Sequence, residues 1–172
     1  HLLRKAMDEY DGFLRNKYMF YYYNGLVCNY SILDNQKAID ILLPAKSYSY
    51  IQKSDYHYFF ICSNLALQNF HNKQYKPSTK ILSRILLHQN FLTFDTSFQI
   101  KILAAELIIR YEIGNYDVLE MRIKKIRSRL KDLLSKRSYA RERLLIKVIS
   151  KLIYTQRIDL NKSLLDDIHA LL

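Results

Sequence analysis

Two stretches decide how this chain folds: Phe70-His-Asn-Lys-Gln-Tyr-Lys-Pro-Ser78 and Tyr111-Glu-Ile-Gly-Asn-Tyr-Asp-Val-Leu119. Each opens on an aromatic residue, passes through Asn, Lys or Gly, meets a tyrosine five residues on, and enters an apolar pattern. A third stretch, Tyr30-Ser-Ile-Leu-Asp-Asn-Gln-Lys-Ala38, has the same outline. The leading aromatic recurs at 30, 70 and 111, and the position eight residues later at 38, 78 and 119. Leu42, Leu82 and Ile123 follow four residues after that. The steps are 40 and 41 residues, a period that marks a repeat of short structural units.

Outward from these stretches, apolar residues recur at helical spacing almost everywhere, as in Leu119, Ile123, Ile126, Leu130, Leu133 and in Leu145, Val148, Ile149, Leu152, Ile153. The clusters Tyr18–Tyr23 and Tyr56–Phe60 have strand-like composition, but each runs into a helical pattern without a turn. Only 3 Gly and 2 Pro occur in 172 residues, too few for the many tight turns of an all-β fold. The expectation is an all-α chain of helix hairpins: 17–32 with 35–48, 54–71 with 75–90, 96–113 with 116–134, and 139–157 with 160–172. Residues 1–13 would be the tail of a preceding helix. A lone hairpin cannot bury its apolar face, so the units should stack into an α-α superhelix, a solenoid of three to four hairpins in one domain spanning 1–172. Because the chain opens on His1, it reads as a piece of a longer protein.

Local chemistry refines the boundaries. Asp34, Asp95 and Ser138 suit N-caps, whose oxygens accept from free first-turn amides. Gly114 suits the left-handed residue that closes a helix. Pro77 fits a first turn, whereas Pro44 should kink or end its helix. Cys28 and Cys62 sit in apolar surroundings and read as two buried thiols in a reducing, cytoplasmic setting. No apolar run is long enough to cross a membrane.

The turn and early second helix, Gln36-Lys-Ala38-Ile-Asp-Ile-Leu42 and Ile113-Gly-Asn-Tyr116 before Asp-Val-Leu119, resemble the tetratricopeptide repeat family over roughly residues 17–134, with a weaker continuation to 172. The unit is longer than that family's, and Leu119 stands where it has a small residue, which should splay that hairpin slightly. The resemblance implies a protein–protein interaction scaffold that takes a peptide or partner helix in a concave groove lined by first helices. The register implied for that groove is Phe20, Tyr23, Val27 and Tyr30, then Phe60, Asn64, Leu67 and Phe70, then Lys101, Ala104, Ile108 and Tyr111. Two readings of these aromatics stand side by side: core packing between helices, or an exposed apolar groove.

The net charge of +11 is local. Residues 121–157 hold thirteen basic and two acidic residues, a difference equal to the charge of the whole chain, and the remainder is balanced. Arg122, Lys125 and Arg129 share one face of their helix, and Arg143, Lys147 and Lys151 stack on another. Such a patch offers a solvated face, a site for an acidic protein (the rest of this polypeptide included), or a nucleic-acid surface. A homodimer is compatible with the apolar helix faces. The five histidines have no partner at ligand spacing, and no nucleophile, metal or phosphate-binding motif occurs, so no enzyme, cofactor or metal is expected.

Overall fold

In a computed structural model, which describes residues 2–155, 159 and 161–171, the chain is all-helical. Among the described residues there is no strand, and the helices are α1 (Leu2–Glu9), α2 (Gly12–Leu33), α3 (Asn35–Ala45), α4 (Ser49–Gln52), α5 (Asp55–His71), α6 (Tyr75–Leu86), α7 (Thr96–Glu112), α8 (Tyr116–Arg129), α9 (Lys131–Ser135), α10 (Ala140–Leu152) and α11 (Lys162–His169). Two short 3-10 turns, Phe91–Thr93 and Arg137–Tyr139, complete them. The chain divides into two compact units, residues 1–91 and 92–172.

In the first unit α5 is central, packed against α2, α3, α4 and α6. Its buried residues Phe59, Ile61, Cys62, Leu65 and Ala66 cover more than one side, as a helix with several neighbours requires. Each fully buried large apolar side chain contributes about 1.5–3 kcal/mol. In the second unit α7 packs on α8 and α10, and α10 on α8, α9 and α11. Leu107, Leu119, Ile123, Ile126, Leu134, Ile146 and Ile149 form its core.

The two stretches quoted at the outset close the hairpins α5–α6 and α7–α8 with the same backbone hydrogen bonds. In the first, Lys73 N–H donates to Phe70 C=O at 2.9 Å and Gln74 N–H to Asn69 C=O at 2.8 Å. In the second, Gly114 N–H donates to Tyr111 C=O at 3.0 Å and Asn115 N–H to Arg110 C=O at 3.0 Å. This is a Schellman closure, which satisfies carbonyls that the helix end leaves open. Its left-handed residue is Lys73 (φ 58°) in one hairpin and Gly114 (φ 71°) in the other. The aromatic pairs Phe70–Tyr75 and Tyr111–Tyr116 stand at ring separations of 5.6 and 5.9 Å. The positions 38, 78 and 119 are fully buried in all three hairpins.

The hairpin α2–α3 turns differently. Leu33 occupies the place of Lys73 and Gly114, and a left-handed leucine is costly, so the helix runs on through Leu33. Asp34 alone, extended at φ −162°, then reverses the chain and caps α3 by accepting from Lys37 N–H at 3.1 Å.

Asp95 caps α7, accepting from Phe98 N–H at 2.8 Å. Ser138 is no cap: it lies exposed in the 3-10 turn, and Tyr139 precedes α10 without a side-chain bond. Pro44 is the penultimate residue of α3, whose end it sets. The helix expected from 17 begins at Gly12, after a break at Tyr10–Asp11. Cys62 is buried but Cys28 is exposed, because it follows the buried Val27 and so faces about 100° away around α2. The helix expected over 116–134 breaks at Leu130 into α8 and α9. That break shifts the apolar register by one residue, so Leu134 enters the core where Leu133 was expected. The fourth turn, with Arg157, lies largely outside the described residues.

Candidate functional site

Of the residues that the groove register draws from α2, Phe20 and Val27 are buried and Tyr23 and Tyr30 half-buried. Phe20 meets α5 directly, stacked on His57 at 4.2 Å and edge-on to Phe60 at 5.1 Å. Tyr23 donates its hydroxyl to Tyr48 at 3.2 Å, and burial together with that bond raises its phenol to about pKa 12. These rings are therefore packing residues first. On α5 the pattern is different. Phe60, Asn64 and Leu67 follow at i, i+4 and i+7 on one face, with Leu67 47% exposed and Phe60, Asn64 and Phe70 half-buried. Asn64 anchors its amide on Phe60 C=O at 2.9 Å.

In the second unit, Lys101 of α7 is exposed and Tyr111 half-buried. Ala104 is buried and Ala105 partly exposed, so the residue 41 positions after Asn64 is the one nearer solvent. Burial also raises the phenol of Tyr111.

The α2 and α5 helices, with α4 between them in sequence, enclose a pocket of about 450 Å³ that sequence reading did not single out. Phe13, Lys17, Phe20 and Tyr21 contribute from α2, Tyr50 from α4, and Tyr56 and His57 from α5. Lys53 and Ser54 close it from the connecting segment. Tyr48 and Tyr50 stack at 5.8 Å, and burial drives the Tyr50 phenol strongly upward. The Tyr50 hydroxyl and His57 Nδ1 are buried without hydrogen-bond partners, although the imidazole sits against the Tyr50 backbone. Burial also lowers the His57 pKa, which keeps the ring neutral near pH 7.

The basic residues of the second unit are mostly engaged. Lys147 and Lys151 both reach Asp167 of α11 at 2.7 Å, and their hydrogen bonds hold its carboxyl below the usual range. Arg143 donates to Leu134 C=O at 2.5 Å, fastening α10 to the end of α9. The stripe foreseen for a polyanion thus ties α9, α10 and α11 together. Arg122 lies 3.3 Å from Glu106 Oε1. Lys125 and Arg129 are exposed, as are Lys131, Lys136 and Arg137 further along, and none has an ion-pair partner among the described residues.

Glu106 was the other residue missed. It is 1% exposed on α7, where Arg110 Nε donates to its Oε1 at 2.8 Å and the terminal Nη2 forms an ion pair with the same oxygen at 2.7 Å. Arg122 of α8 approaches the same oxygen without hydrogen-bond alignment, and Oε2 has no partner. Sequence reading weighs Glu106 only against Glu112, as carboxylates on different faces of one helix; the i, i+4 spacing of Glu106 and Arg110 was the signal for its pairing. Among the described residues, no group of His, Cys, Asp or Glu is arranged to hold a metal ion, and no helix is long and apolar enough to cross a membrane.

No family model matches this chain, no curated protein matches it in sequence, and no solved structure matches it.

Proposed function

We propose that this chain is a non-catalytic binding module, a divergent tetratricopeptide-like solenoid that takes a peptide or partner helix on the exposed face of its first helices. The observation that carries this reading is the row Phe60, Asn64, Leu67 on α5. It leaves Leu67 exposed and Phe60 and Asn64 half-exposed on a helix whose other sides are already buried. Within each unit the second hairpin packs on the first, α5 mainly on α3 in one unit and α10 mainly on α7 in the other, which supports stacked hairpins. Leu67→Glu combined with Asn64→Ala should abolish capture of a purified partner while the helical circular dichroism is unchanged. Retained affinity in that variant sinks the reading.

A nucleic-acid role keeps one specific support, the unpaired cations Lys125, Arg129, Lys131, Lys136 and Arg137. With Lys147, Lys151, Arg143 and Arg122 engaged internally, this smaller set is what such a role rests on. Reversing Lys125, Arg129 and Lys136 to Glu should then remove salt-dependent retention of labelled RNA. Equal retention by the variant and the parent chain would end that alternative.

A further inference from the structure

We propose that the pocket bounded by α2, α4 and α5 is a binding site for a small organic anion with a flat, apolar body. Its volume of about 450 Å³ is that of a small-molecule site. Its walls are mainly aromatic, with Phe13 and Tyr56 largely exposed, so a planar hydrocarbon body finds ring faces and edges to stack on.

The charge at the pocket has one sign. Lys17 and Lys53 line it, and the adjoining depression adds Arg15. No carboxylate lines either. Asp55, next in sequence to Ser54, is turned away, its carboxylate accepting from Asn90 at 2.6 Å and lying 3.6 Å from His88. Neither lysine has an ion-pair partner among the described residues, so an incoming anion displaces only water. The two lysines attract the anionic group and the rings hold the body, so neither a plain hydrocarbon nor a small inorganic anion should suffice.

The proposal is independent of the peptide-binding reading, because it uses neither Leu67 nor Asn64. The probe for the test is anilinonaphthalene sulfonate, with uncharged phenylnaphthylamine as its counterpart. The chain has no Trp, which leaves the probe fluorescence clean. The sulfonate should bind saturably at one site, and the uncharged dye about tenfold more weakly. Lys17→Glu with Lys53→Glu should weaken the sulfonate by about tenfold, and Lys17→Gln with Lys53→Gln serves if the reversal disturbs folding. Lys125→Glu with Arg129→Glu makes the same change in net charge elsewhere and should leave binding unaltered. Leu67→Glu with Asn64→Ala should leave it unaltered as well. Absence of saturable binding, equal affinity for the two dyes, or an equal loss in the Lys125/Arg129 variant overturns the proposal.

Discussion

The hairpins α5–α6 and α7–α8 share one closing turn and differ in what they bury behind it. At matched positions 41 residues apart, Leu65, Asn69 and Ile81 of the first hairpin correspond to Glu106, Arg110 and Arg122 of the second. In the first, Leu65 and Ile81 are apolar, and Asn69 satisfies its amide on Leu65 C=O at 2.7 Å. In the second, a buried carboxylate is held by one buried arginine and approached by another. The hairpins differ again where their helices approach. Ser78 donates to Ala66 C=O at 2.6 Å, whereas Leu119 fills the same place against Leu107. Accordingly α7 and α8 make less close backbone contact than α5 and α6, as a larger contact residue demands. One backbone solution thus accommodates an apolar interior or an ionic one, the latter even with one carboxylate oxygen of Glu106 left without a partner.

The strongest way to break the comparison is Glu106→Leu, which imports one residue of the apolar hairpin into the ionic one. It strands Arg110 and should cost about 3–5 kcal/mol in chemical denaturation. Importing the whole apolar set, Glu106→Leu with Arg110→Asn and Arg122→Ile, should recover that loss or exceed the parent stability, because the desolvation of the ions disappears with them. A triple variant as unstable as the single one would show that the hairpins are not equivalent.

Next in size is the contact residue. Ser78→Leu forces a leucine into the closer approach and should cost about 1–3 kcal/mol. The turn itself should respond less. Gly114→Ala puts a Cβ on a left-handed residue and should cost about 1 kcal/mol, whereas Lys73→Gly relieves that strain and should gain up to about 1 kcal/mol. Nothing lies within 4 Å of a Cβ at Gly114, so backbone strain alone sets that loss.

The smallest effect is a pH dependence confined to the first unit. His57 has its pKa lowered by burial, so the unfolded chain takes up its proton first as pH falls. The stability that neutral His57 contributes is complete above its unfolded pKa, near 6.5, and is lost as pH falls from there through the folded value. His57→Phe should flatten denaturation midpoints across that window. An unchanged pH profile would show that the imidazole is already free to charge.

Much of the fold was legible in the residues. The 41-residue spacing led to two turns with matching hydrogen bonds, and Asp34, Asp95, Gly114 and Pro77 each sit where local chemistry put them. Legibility failed where packing overrides local preference. Leu130 interrupts a continuous apolar seam, and Leu33 carries α2 past the place where the other hairpins turn. The candidate sites were less readable still. Helical spacing put Lys147 and Lys151 on one face but could not say that Asp167 lies across from both. It placed Phe20 and Val27 in a groove, whereas α5 covers Phe20. The pocket went unnoticed because its walls come from α2, α4 and α5, whose lining residues span positions 13 to 57.

By itself, the sequence determined helical content and the chemistry of the closing turns, because these depend on dihedral preferences and hydrogen bonds among residues a few places apart. Only the tertiary structure decided which aromatic rings are covered, which lysines are already paired, and that Glu106 stands buried between two arginines. Burial and ion pairing are set by side chains that approach from other helices, and no spacing along one helix records that approach.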